Sequence, residues 1–262
     1  MKPRVLITGG SAGIGYELAK LLASDGYDLI INGASKRVHE AAESLRSYGG
    51  KVIAVQSDLS YPAGVDELVD VVKRSEGGLD VLVLNAGIAV GGAFLDLPLE
   101  QHLHLIDLNI MSTVRLCHAL LPDVIVAKGK VLMVSSLSAT TPTPFESVYG
   151  PSKAFMTSFG HGLREELRDT GITLTLLHPG ATATEFHARA GMGTTAFGDN
   201  SWKNDPALVA QQGYNAMMAG VTSLTGGDEA TQAAGRDHLV TSEEEKARRH
   251  AEQARPGSRP QS

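Results

Sequence analysis

A regular alternation between short runs of consecutive apolar residues and longer stretches of helical spacing restricts this chain's fold more than any other feature. The runs at 4–8, 28–32, 52–56, 81–85, 130–135 and 172–178 are rich in β-branched and aliphatic residues and read as strands. Between them, residues 14–23, 38–48, 63–75, 103–126 and 152–168 repeat their apolar side chains at helical intervals. Such alternation predicts βαβ crossovers and a parallel sheet. Because the strands are apolar at successive positions, helices must cover both sheet faces. The expected fold class is α/β, a single three-layer αβα domain with a doubly wound parallel sheet. Ligands of such a sheet bind beyond the carboxyl ends of its strands.

After His178 the periodicity stops, and 181–205 reads as a mobile lid. Asp205-Pro206 then supplies a helix cap and first residue for a helix running to about 219, and 221–225 is a candidate final strand. The α/β domain is expected to span 1–225. Residues 226–262 are expected to form a polar tail, partly helical or disordered, and no function is assigned to them.

Composition narrows the partners. The 262 residues are 42% hydrophobic and carry a formal net charge of −6, with both signs mixed along the chain. Nothing resembles the basic stripe of a nucleic-acid binder, and no apolar run approaches the ~20 residues of a membrane span. A soluble, cytoplasmic protein with a small-molecule partner is expected. Cys117, the single cysteine, lies in an apolar helical pattern and reads as a buried, inert thiol. The nine histidines show no metal-ligand spacing; His102 and His104, two apart, diverge on a helix, so no metal is expected.

Thr8-Gly9-Gly10-Ser11-Ala12-Gly13-Ile14-Gly15 joins the first strand to the first helix. Gly9 suits a tight turn, Gly13 lets the backbone approach a pyrophosphate, and Gly15 lets helix and strand pack closely. The helix start, with Ser11 and Ile14 beside it, offers free N–H groups and a positive dipole to an anion. This predicts a dinucleotide. A site for NAD usually places an acid at the end of the second strand, but here that end reads Asn32-Gly33-Ala34-Ser35-Lys36-Arg37. Ser35, Lys36 and Arg37 suit a 2′-phosphate, which favours NADP(H) over NAD(H). Asp58, with Leu59 after it, is placed to bond the adenine amino group or to form a turn.

Tyr149 and Lys153, four apart at a helix start, share one face. A phenol titrates near ~10, so acid–base work near neutrality needs a charge that stabilises the phenolate, and an ammonium supplies it. Ser136 follows the fifth strand and points a hydroxyl at the ligand crevice, with Ser135 and Ser138 as competitors. Asn109 is placed to hold a water between Lys153 and solvent. With Asn85-Ala86-Gly87, Pro179-Gly180, Thr182 and Thr184 in the same order and spacing, residues 4–220 resemble the short-chain dehydrogenase/reductase family. Leu84 and Ala12 depart from its usual pattern, the latter standing where NADP-binding members often carry a basic residue.

The resemblance implies a Rossmann-like fold and a catalytic tetrad of Asn109, Ser136, Tyr149 and Lys153, with Tyr149 as general acid or base. It implies that Asn85, Ala86 and Gly87 form the cofactor wall and that Pro179, Gly180, Thr182 and Thr184 border the nicotinamide. It further implies a homodimer or homotetramer built on the helices at 103–126 and 152–168. The expected function is hydride transfer between NADP(H) and a carbonyl or secondary alcohol of a small, partly apolar substrate. The alternatives are a non-catalytic dinucleotide sensor and a nicotinamide-recycling epimerase or dehydratase. Ser138, Phe145 and Phe186 are expected to line the substrate pocket, with Phe94, Met192, Phe197 and Trp202 as further candidates. Arg189 and Lys203 are placed to meet an anionic substrate.

Overall fold

The structure, a computed structural model, describes residues 2–259. Seven parallel strands form one sheet in the order β3-β2-β1-β4-β5-β6-β7: β1 (Arg4–Ile7), β2 (Asp28–Gly33), β3 (Val52–Gln56), β4 (Val81–Leu84), β5 (Lys130–Val134), β6 (Thr173–Pro179) and β7 (Ser223–Gly226). The register aligns Val5 with Leu29 on one side and with Val81 on the other, so strand order reverses between β1 and β4. A crevice opens at their carboxyl ends.

Helices cover both faces, as consecutive apolar strand residues require. On one side lie α1 (Gly13–Ser24), α2 (Arg37–Arg46) and α8 (Pro206–Met218). There Leu18, Leu22, Val38, Leu45, Val209 and Met217 bury against Val5 and Ile7. On the other lie α3 (Pro62–Arg74), α5 (Ser112–Val126) and α6 (Tyr149–Glu166). Here Leu68, Val72, Leu116, Leu120 and Met156 pack against Leu6 and Leu82. Neighbouring residues of one strand thus serve opposite cores. Cys117 is buried in the second core, and burial pushes its thiol up to about 12, leaving it inert.

The expected helix at 103–126 is in fact two helices. α4 (Leu99–Ile106) runs into a wide turn at Asp107–Met111 with i→i+5 geometry before α5 begins. That bulge rotates Asn109 inward to 1% exposure. Among the described residues no helix is long and apolar enough to cross a membrane.

The segment after 225, expected as a partly helical or disordered polar tail, is helical and packs back on the domain. β7 extends through Gly226, and α9 (Glu229–Asp237) and α10 (Glu243–Ala254) fold back over the strand ends. Lys246, only 6% exposed, donates to the carbonyls of Thr140 (3.0 Å) and His238 (3.2 Å) and to Glu243 (2.7 Å). Thr140 Oγ1 also meets His238 Nδ1 at 2.7 Å. Ala254 is buried with Tyr149, Met192 and Phe197. Segment 181–205 carries the short helix α7 (Phe186–Arg189) and is pinned by Asn204, whose amide reaches Ala181 O and Thr231 Oγ1 of α9.

Gly15 tests this packing. A Cβ there would stand 2.4 Å from both Gly9 O and Asn85 Nδ2. Gly15→Ala is expected to cost about 2 kcal/mol through overpacking. Thermal unfolding should show a melting temperature about 6 °C lower, and an unchanged value would mean that α1 can slide away from the turn.

Candidate active site

The crevice at the β1/β4 reversal is a cavity of about 840 Å³ lined by residues from nearly every strand end. Its first wall is the glycine turn. Gly9 (φ +64°) and Gly13 (φ +56°) take left-handed conformations that glycine adopts without strain. Thr8 Oγ1 accepts from the N–H groups of Asn85 (2.9 Å) and Ala86 (3.0 Å), while Asn85 Nδ2 donates to Thr8 O and Gly9 O. These four bonds clamp the end of β4 to the turn. α1 begins at Gly13 with no side-chain cap and no acid in its first turn, leaving N–H groups and positive dipole open to an anion. This arrangement fits a dinucleotide pyrophosphate.

Of the sequence-predicted dinucleotide contacts, Gly9, Ser11, Gly13, Ile14, Asp58, Leu59, Asn85, Ala86, Gly87, Pro179, Gly180, Thr182 and Thr184 line this cavity. Gly15 does not; its role is the close packing described above. Ser35 and Arg37 also lie off the cavity lining. Ser35 is exposed, and Arg37 pairs with Glu185 of the segment across the crevice, which lines the cavity in its place. Asp58 makes the turn as well: its Oδ1 accepts from Ser60 N (2.9 Å) and Ser60 Oγ (2.7 Å).

Deeper in, Ser136, Tyr149, Lys153 and Asn109 come together. Ser136 caps the turn at Leu137–Thr140 and accepts from Ser138 N at 3.1 Å. Ser135 also lines the crevice, but its hydroxyl is committed to Lys153 O and Thr157 Oγ1, which sets it apart from Ser136. Tyr149 opens α6, and Lys153 Nζ lies 6.0 Å from its ring centroid while donating to Val134 O at 2.9 Å. Burial raises the Tyr149 phenol above its ordinary value, opposed by a hydrogen bond with Ser136 and reinforced by the Glu146 charge. Burial alone lowers Lys153 to about 8. Asn109 is committed: its amide donates to Ile88 O (2.9 Å) and Ser152 Oγ (3.0 Å), and its Oδ1 accepts from Ile88 N (2.9 Å). Its side chain therefore fixes the strand-end loop rather than reaching for solvent. A Cβ at Gly87 would meet Asn109 Oδ1 at 3.2 Å and Lys153 Nζ at 3.3 Å, so any larger residue there would press on both side chains.

The outer pocket departs from expectation. Ser138, Phe186, Phe197, Trp202 and Arg189 line the cavity. Phe145, Phe94, Met192 and Lys203 do not. Phe145 sits at φ +65° with its ring beneath Arg255, Phe94 stacks on His102 at the surface, and Met192 is buried under Gly91. In their place stand residues that sequence reasoning passed over: Glu146, His187, Asp237, Arg249, His250 and Gln253. Burial lowers His187 to about 3, so it is neutral at any working pH. Among the described residues no group of acids, histidines and cysteines is placed to hold a metal.

Comparison with known proteins gives the family and the fold. The short chain dehydrogenase family profile matches residues 3–193. A short chain dehydrogenase of Pseudocercospora fijiensis is 34% identical over 187 residues, 70% of this chain and 60% of that protein. Among solved structures, a short-chain dehydrogenase from Sphingobium yanoikuyae in complex with NADPH superposes with a TM-score of 0.81 at 29% identity, covering 91% of this chain and 92% of the other. A 3-oxoacyl-[acyl-carrier protein] reductase from Brucella melitensis in complex with NAD gives 0.73 at 28% identity, over 86% and 95%. With its parallel sheet, glycine turn and buried Ser136, Tyr149 and Lys153, this chain belongs to the short-chain dehydrogenase/reductase family of oxidoreductases.

Proposed function

We propose that the protein is an NADP(H)-dependent reductase or dehydrogenase acting on a carbonyl or secondary alcohol, with Tyr149 exchanging a proton with the reacting oxygen. The observation that carries this proposal is the burial of Ser136, Tyr149 and Lys153 together at the inner end of a crevice whose outer end presents an uncapped helix N-terminus. A bound dinucleotide supplies or receives the hydride. Gly9, Ser11, Gly13 and Ile14 would hold its pyrophosphate, and Asn85, Ala86, Gly87, Pro179, Gly180, Thr182 and Thr184 the nicotinamide side.

In reduction, Ser136 Oγ–H bonds the carbonyl oxygen and Tyr149 O–H delivers the proton as charge develops there. The Lys153 ammonium, close by in a dry site, stabilises the phenolate left behind. In oxidation the same phenolate removes the hydroxyl proton. A homodimer or homotetramer belongs to this proposal; Leu103, Met111 and Phe155 leave apolar side chains exposed on the helices that would meet.

NADP preference is assigned to Arg37. Its partner Glu185 is an exposed surface acid, and such pairs are readily exchanged. A 2′-phosphate would compete for the guanidinium with a higher charge and a bidentate geometry. Fluorescence titration should find NADPH bound more tightly than NADH. Arg37→Ala should weaken NADPH about tenfold and leave NADH nearly unchanged, whereas Glu185→Gln should tighten NADPH severalfold. Equal binding of both nucleotides by the unaltered protein would remove NADP preference. Failure to bind either would remove the oxidoreductase assignment to this crevice.

A further inference from the structure

Building on the reductase assignment above, we propose that Glu146 and His250 form a polar subsite that selects carbonyl substrates bearing a second hydrogen-bond donor, a hydroxyl or ammonium, apart from the reacting oxygen. Glu146 lies three residues before Tyr149, is 3% exposed, and lines the same cavity as Ser136 and Tyr149. Its Oε2 is 3.1 Å from Nε2 of His250 on α10. Its Oε1 is buried with no hydrogen-bond partner.

A carboxylate oxygen removed from water without a donor is strongly destabilising. Anchoring α10 would need only one oxygen, and the second would then be cost without return. Oε1 shows no surface to the empty cavity, so a donor entering there meets it once the Glu146 carboxyl turns towards the bound group.

The intervening wall connects this subsite to the reacting centre. Tyr149, Phe186, His187, Phe197 and His250 form a continuous series of rings with successive centroids 5.4, 5.4, 5.2 and 5.6 Å apart. A substrate with its carbonyl at Tyr149 and its carbon chain along these rings would present its far end to Glu146. Burial keeps His187 neutral, so the middle of the wall is uncharged. A donor at that far end meets Oε1, whereas a methyl group there leaves it unpaired. Polar sites built to bond a substrate group reject analogues that lack it more strongly than apolar pockets reject added bulk.

The test compares methyl ketones of graded length that end in a methyl, a hydroxyl or an ammonium group, each assayed with NADPH. The unaltered enzyme should prefer donor-ended ketones by about 10- to 100-fold in kcat/KM at the fitting length. Preference for the hydroxyl identifies hydroxy ketones, preference for the ammonium identifies amino ketones, and either upholds the subsite. Glu146→Leu and His250→Phe should bring the ratio towards one, and Glu146→Gln, which keeps an acceptor, should retain part of it. Trp202, the single tryptophan and a cavity residue, gives an independent binding signal. With NADP⁺ present, alcohols ending in a hydroxyl should quench it at lower concentration than methyl-ended ones. If Glu146→Leu fails to fold, the unaltered enzyme and His250→Phe decide.

Equal kcat/KM for all three endings, with turnover that Tyr149→Phe abolishes, overturns the subsite and leaves the reductase assignment standing. No NADPH oxidation with any compound overturns that assignment, and the subsite with it.

Discussion

Tyr149→Phe is expected to lower kcat by about 10³-fold, within the range for losing a positioned general acid, while NADPH binds with nearly unchanged affinity. The ring is 7% exposed and packs 5.4 Å from Phe186, so phenylalanine fills the same space and only the hydroxyl is lost. Retained turnover would eliminate Tyr149 as the proton donor. The direction of its titration shift adds a pH dependence. Burial, and secondarily the Glu146 charge, hold the phenol protonated, opposed by the bond with Ser136. Reduction, which uses the protonated form, should therefore run well at neutral pH, whereas oxidation, which needs the phenolate, should speed up as pH rises. A pH profile in each direction, read on one substrate pair, checks the sign.

Lys153→Met is expected to stabilise the protein near neutrality while lowering turnover about 100-fold or more, as charge support of the phenolate is lost. Lys153 is 4% exposed, and burial lowers its titration from 10.5 to about 8. Between those values the unfolded chain holds a proton that the folded chain has released, so this group's contribution to stability rises with pH. Below about 8 the whole cost of charging it is present, about 3 kcal/mol from the gap in titration. Loss of its bond to Val134 O offsets part of the gain, leaving about 2 kcal/mol near neutrality. Denaturant unfolding without nucleotide should show that advantage shrinking as pH rises towards 10.5. An advantage independent of pH would locate its origin in packing instead.

The parts that local chemistry dictates were legible in the sequence. β1 with its glycine turn, the Tyr149/Lys153 spacing and the consecutive apolar strands all act over a few residues, and the sheet and inner crevice follow from them. What escaped depends on distant partners. Arg37 reads as an unpaired phosphate ligand, and the acid that competes for it, Glu185, stands 148 positions away, beyond any local pattern. Phe145 reads as a pocket aromatic, but its positive φ turns the ring under Arg255. Residues 226–254 look like solvated tail because their burial rests on Lys246, His250 and Ala254 rather than on an apolar stripe. A buried lysine satisfied by two carbonyls and one carboxylate leaves no periodic signal. Glu146 is a lone acid in sequence and gains meaning only opposite His250.

The return of α9 and α10 over the strand ends divides labour along the chain. Every group assigned to proton transfer precedes residue 154, whereas Asp237, Arg249, His250 and Gln253 occupy one contiguous terminal stretch. Such a chain can diversify like a tool with an exchangeable tip. Exchanging residues 229–254 alone would recast that wall of the pocket and leave Ser136, Tyr149 and Lys153 in place.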